Sequence, residues 1–126
     1  MKSHIALLTF ALVCIGSSSA FAMTKEEHKV QKERIEADYK LAKAKCASLE
    51  ANAKDMCQAE AKSVEKVGKA ELEAQYKPST RADKKVKEAK AEGAYSVAKQ
   101  KCDELKAEAK TTCMKDARAA RDSAKS

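Results

Sequence analysis

The residues of this chain whose type and spacing could carry chemistry are its cysteines. Cys46 and Cys57 form one pair and Cys102 and Cys113 a second, with ten residues between the members of each; a fifth, Cys14, stands apart. Two kinds of chemistry suit such a set. Thiols in an oxidising compartment pair into disulfides. Thiolates beside Met56 and Met114 offer soft ligands of the kind that select Cu(I) or Zn. The spacing lacks the Cys-x2-Cys step of a zinc site, and His28 has no second histidine near it in sequence.

The N-terminal stretch chooses between these readings. Residues 1–22 carry Lys2, an apolar run from Ile5 to Ile15, and then Ser17-Ser18-Ser19 leading to Ala20-Phe21-Ala22. A positive start, a short apolar core and a small-x-small end predict a secretory signal cut after Ala22. The run is too short to cross a bilayer, which needs about 20 residues. Removal of Cys14 and His4 with this segment leaves four cysteines and one histidine. An even cysteine count in an exported chain reads first as a disulfide framework in a periplasmic or secreted protein.

A repeat holds the cysteines. Tyr39 to Ala61 reads YKLAKAKCASLEANAKDMCQAEA, and Tyr95 to Ala117, 56 positions on, reads YSVAKQKCDELKAEAKTTCMKDA; 11 of 23 aligned positions are identical. This is an internal duplication. Once Phe10 and Phe21 leave with the signal, the chain has three tyrosines, no other aromatic side chain and few large aliphatics. Such a composition fills a narrow seam between helices rather than a globular core, and crosslinks supplement a thin core.

Thr24-Lys25-Glu26-Glu27 fits a capping box, so a helix is expected from Lys25. Ala, Lys, Glu, Gln and Leu then dominate to Lys77, interrupted only by Gly68, and predict one continuous helix within 23–77. Pro78 ends it and 78–80 form a turn. Thr80-Arg81-Ala82-Asp83 caps a second helix within 81–126, with Gly93 as its weak point. Tyr39, Ala42, Cys46, Leu49, Ala53, Cys57, Ala61 and Val64 lie on one stripe of the first helix, and Tyr95, Ala98, Cys102, Leu105, Ala109, Cys113, Ala117 and Ala120 on the matching stripe of the second.

The expected fold is therefore all-α: a long antiparallel two-helix hairpin, internally duplicated and disulfide-stapled. In such a hairpin facing residues share a constant sum of sequence numbers. Cys46 with Cys113 and Cys57 with Cys102 both give 159. On this reading the two copies face each other and are locked twice. The alternative pairs Cys46 with Cys57 and Cys102 with Cys113. It needs turns near Glu50-Ala51-Asn52, where Asn52 is a tolerable turn residue, and near Lys106-Ala107-Glu108, within a strongly helix-forming string.

The formal net charge is +7, or +6 without Lys2. Lys and Glu interleave as on a solvated helix face, and Lys84-Lys85-Val86-Lys87 is the densest positive cluster, so nucleic acid is not indicated. An anionic envelope polymer or lipid headgroup is the alternative partner that this charge allows. His28, without an identifiable partner, reads as a surface residue, and Tyr39 and Tyr95 read as seam packing with their hydroxyls toward solvent. No catalytic constellation is present, and no cofactor is called for. The expectation is a non-enzymatic structural or interaction protein, whose partner is an envelope protein or a second copy of itself.

Lys43-Ala44-Lys45, Ala53-Lys54-Asp55 and Ala59-Glu60-Ala61-Lys62 typify residues 25–121. In these strings the chain resembles the periplasmic helical segment of TolA and, more so, small exported TolA-like proteins of proteobacteria. The resemblance implies a long-helix architecture and a role in the cell envelope. The two-cysteine helices are also similar in plan to the twin cysteine-pair hairpins of the mitochondrial intermembrane space.

Overall fold

A computed structural model describes residues 22–126; apart from Ala22, the expected signal segment lies outside them. Four helices follow in order: α1 (Lys25–Cys46), α2 (Ala51–Tyr76), α3 (Thr80–Asp103) and α4 (Ala107–Lys125). The described residues are all-helical, as expected. The expected two long helices are each broken once, at 47–50 and at 104–106.

The start of α1 is the capping box foreseen from sequence. The Glu27 amide donates to Thr24 Oγ1 at 3.1 Å, and the Thr24 amide donates to Glu27 Oε2 at 2.8 Å. The Thr24 amide and the Thr24 hydroxyl, the latter at 3.0 Å, both donate to the Glu27 carboxylate and hold it below the ordinary carboxylate range. Pro78 separates α2 from α3 as expected. The cap of α3 falls one residue earlier than the sequence suggests: Ser79 Oγ accepts from the Ala82 amide at 3.1 Å, and Thr80 is already helical.

Each helix runs antiparallel to the next. α1 packs on α2, α2 on α3, and α3 on α4, and among the described residues no other helix pair is in contact. The result is an open array and not a closed bundle. The α1–α2 register is fixed by the Cys46–Cys57 bridge at one end and His28 against Glu73 at the other. The α3–α4 register repeats it, with Cys102–Cys113 at one end and Lys125 bonded to Glu92 at the other. Each copy of the duplication is thus a stapled αα-hairpin, and the copies join through α2 and α3.

This arrangement changes the role of the cysteine-bearing stripe. It folds back on itself within each copy instead of facing the other copy. Tyr39, Ala42 and Cys46 of α1 meet the side of α2 that carries Cys57 and Ala61, while Leu49 lies in the turn and Val64 is 73% exposed. The contact between copies is made by a different face, on which small residues predominate.

Gly93 marks that contact. A Cβ built on Gly93 would lie 2.0 Å from Ser63 Oγ and 3.1 Å from Ser63 Cβ. The glycine therefore lets α2 and α3 approach closely, and the weak point expected from sequence is a packing requirement. The buried set is correspondingly small in side-chain volume: Cys46, Ala59, Ala61, Leu72, Ala91 and Cys102. Gly68 differs. Its added Cβ would sit 3.6 Å from Ile35, an ordinary van der Waals separation.

The two glycines should respond oppositely to the same change. Gly68→Ala is expected to raise stability by about 0.5–1 kcal/mol through helix propensity. Gly93→Ala is expected to lower it by about 1–2 kcal/mol, because overpacking against Ser63 outweighs the same gain. Chemical denaturation of the two variants checks this, and equal responses would remove the close-approach account of Gly93.

Candidate functional site

The cysteines are both the candidate site and the points where the chain turns. Cys46 and Cys57 are bonded, with Cα atoms 5.6 Å apart, and Cys102 and Cys113 are bonded with Cα atoms 5.5 Å apart. This is the local framework. The expected Cys46–Cys113 and Cys57–Cys102 pairs do not form, because each helix reverses between its two cysteines and brings them together within one copy. Cys46 and Cys102, the first of each pair, are fully buried.

The two turns share their hydrogen-bond pattern. The Leu49 amide donates to the Cys46 carbonyl at 3.1 Å, and the Leu105 amide donates to the Cys102 carbonyl at 3.0 Å. Glu50 and Lys106 occupy the next helices' N-cap positions in extended conformation, and neither makes a side-chain cap. Ala51 and Ala107 follow with φ of 47° and 50°. Alanine in the left-handed region costs about 1–2 kcal/mol against its right-handed form. Neither turn contains glycine or proline, and the one side-chain bond in them is from Ser48 Oγ to the Lys45 carbonyl at 3.0 Å, so local sequence supplies little to hold them. The covalent bridges supply the closure.

With the sulfurs bonded to one another, the thiolates that a soft metal would need are absent, and Met56 and Met114 are left beside half-buried bridges. Among the described residues no group of three or more His, Cys, Asp or Glu is placed to hold a metal ion.

His28 is not the isolated surface residue that its sequence context suggests. Its Nε2 lies 2.7 Å from Glu73 Oε1, and its ring stacks on Tyr76 with centroids 4.3 Å apart. Only the fold shows this, since the partners lie 45 and 48 residues away. Beside them, Lys69 bridges Glu65 at 2.7 Å and Glu36 at 3.2 Å, and both bonds raise the lysine's pKa. Tyr39 lines a groove with Ile35, Leu41, Val64 and Gly68 along the α1–α2 seam. Tyr95, its counterpart, lies under the Arg121 guanidinium, 4.6 Å from the ring centroid.

At the far end of the second copy, Lys125 bonds the Glu92 carboxylate, lowers its pKa and ties α4 to α3. Lys84, Lys85 and Lys87 are exposed on the first turns of α3, near Lys77 and Arg81. This basic end is interleaved with Glu73 and Asp83. Among the described residues the grooves between the helices are open and bring no acid, base and nucleophile together.

Two measurements follow from this geometry. In oxidised protein, Ala51→Gly and Ala107→Gly are each expected to stabilise by about 0.5 kcal/mol, since glycine takes a positive φ without strain. After reduction, which is expected to cost about 3 kcal/mol per 11-residue loop, the same changes should destabilise, as mid-helix glycines do. Thermal melts with and without reductant check the sign reversal. Acid is expected to weaken the fold: Glu27 and Glu92 have depressed folded-state pKa values, so their contribution is present above the unfolded value and lost as pH falls through the depressed ones. Glu92→Gln should flatten the acid limb of a stability–pH profile.

No protein-family model, no curated protein and no solved structure matches this chain.

Proposed function

We infer that the chain is a non-enzymatic helical structural or interaction protein of an oxidising extracytoplasmic compartment, exported by its N-terminal segment to the bacterial periplasm. The observation that carries this reading is the pair of turns without glycine or proline, each closed by a disulfide around a left-handed alanine. A fold that leans on its disulfides to this extent suits an environment in which they persist. The TolA-like composition of the helices supports a place in the cell envelope. No described helix is long and apolar enough to cross a membrane. What the surface offers a partner is open helix faces rather than an enclosed pocket for a small substrate.

Expression of the full chain in a bacterial host, followed by fractionation and thiol titration without reductant, tests the reading. The expected product begins at Met23, is recovered from the periplasm and has no titratable thiol. A chain retained in the cytoplasm with four free thiols in its described residues would remove the proposal and favour a thiol-based metal binder.

A further inference from the structure

The duplication gives every position on α1 a counterpart on α3, 56 residues on. On α3 the stripe Ala82, Val86, Ala89, Gly93 and Val97 is buried or half-buried. It faces α2: Gly93 meets Ser63, and Val86 lines one crevice with Ala74. The α1 counterparts of the last four are Val30, Glu33, Ala37 and Leu41. All four are exposed, Val30 and Leu41 at 64% each. Single exposed aliphatics are ordinary. These stand at the positions that form a helix–helix interface in the other copy, so α1 keeps a packing face with no helix across it, one edge of which, at Leu41, also borders the α1–α2 groove.

Two helices of a second copy could cover that face. Continuing the array would bring α4 onto it, using the α4 counterparts of the α2 face toward α3. Those counterparts are ill suited. Lys115 stands where α2 has the buried Ala59, and Ser123 stands where it has Val67. An ammonium group in a seam of alanines is costly unless paired. The α1 face is better suited to itself. An antiparallel two-fold at Ala37 sets alanine against alanine and brings Val30 opposite Ala44 of the partner subunit. It also places Glu33 within reach of Lys40 of the partner subunit. Large meets small and acid meets base, and a two-fold repeats each contact.

We propose that the outer face of α1 is a homodimer interface, through which two chains associate by antiparallel packing of α1 on α1 around Ala37. This rests on the reading of the chain as an interaction protein and names its partner as a second copy. One helix pair is a small interface, and a dissociation constant of about 10–100 μM is expected.

Sedimentation equilibrium of the oxidised full chain across that range tests it. Leu41→Glu is expected to weaken association at least tenfold, about the loss that one buried, unpaired charge per subunit imposes. Glu33→Lys and Lys40→Glu should each weaken it about threefold, and the double variant should restore it. Ala119→Glu, on the outer face of α4, should leave it unchanged. Unaltered disulfides and circular dichroism in each variant exclude misfolding as the cause. A chain that stays monomeric at every concentration, indifference to Leu41→Glu, failure of the double variant to recover, or disruption by Ala119→Glu each overturns the proposal. A monomeric but periplasmic, fully oxidised chain would leave the wider functional reading standing, whereas a cytoplasmic thiol form would remove that reading whatever the oligomeric state.

Discussion

The architecture depends on a conflict between local preference and covalent closure at two equivalent places. The segments around Ala51 and Ala107 contain no glycine or proline and no N-cap side-chain bond, and the second is made of residues that favour continued helix. Left to propensity, each copy would run straight. The bridges hold it folded, because residues 11 apart in a straight helix lie about 16 Å apart along the axis. Their Cα atoms stand 5.6 and 5.5 Å apart here, a separation reached only by reversing the chain. The alanine at positive φ is the local cost of that reversal, and its presence at the same place in both copies shows a property of the repeat unit rather than an accident of one loop.

Closure also explains how so thin a core suffices. The buried side chains are mainly alanines and half-cystines, and Leu72 is the one large aliphatic among them. Apolar burial scales with area, so an alanine seam contributes little per residue. Two compensations are visible. Short bridged loops lower the entropy of the unfolded chain. The close approach at Gly93 and Ser63 lets small side chains touch across α2 and α3, where larger ones would hold the backbones apart. Ion pairs such as Lys90–Glu71, at 2.7 Å, flank this seam at the surface, where they fix register more than they add stability.

Much of this was legible before any coordinates. The capping box at Thr24, the break at Pro78 and the helical content are all carried by local signals, and each appears where those signals put it. The reversals at 47–50 and 104–106 were not legible, because Lys106-Ala107-Glu108-Ala109-Lys110 carries a helix-forming pattern and the turn it adjoins is set by a bond between distant atoms. The matching sums for Cys46 with Cys113 and Cys57 with Cys102 follow from the duplication together with the position of Pro78, and so could not discriminate between frameworks. His28 was unreadable for a related reason: Glu73 and Tyr76 become its neighbours only through the register that the first bridge imposes. The four bridged cysteines are those that the sequence singles out, and their pairing is the alternative of its two frameworks rather than the favoured one.

The alternation of helix direction gives the molecule two unlike ends. Both bridges, and both leucine-bearing turns, lie at one end of the array. Lys25 and the Pro78 turn lie at the other, held by the Thr24 cap and His28 on Tyr76, while α4 is shorter and its Lys125 reaches Glu92 midway along α3. Motion is therefore polarised along the helix axes. At the bridged end α1 cannot part from α2, nor α4 from α3, without breaking a covalent bond, while the opposite end can fray one helical turn at a time. Force applied to the two flanking strands of chain would peel α1 from α2 and α4 from α3 until it met the bridges, and would then pass through the sulfurs into α2 and α3, which no crosslink joins. The bridges thus withhold from extension only the chain between Cys46 and Cys57 and between Cys102 and Cys113, and the α2–α3 seam bears the remaining load by noncovalent contacts alone.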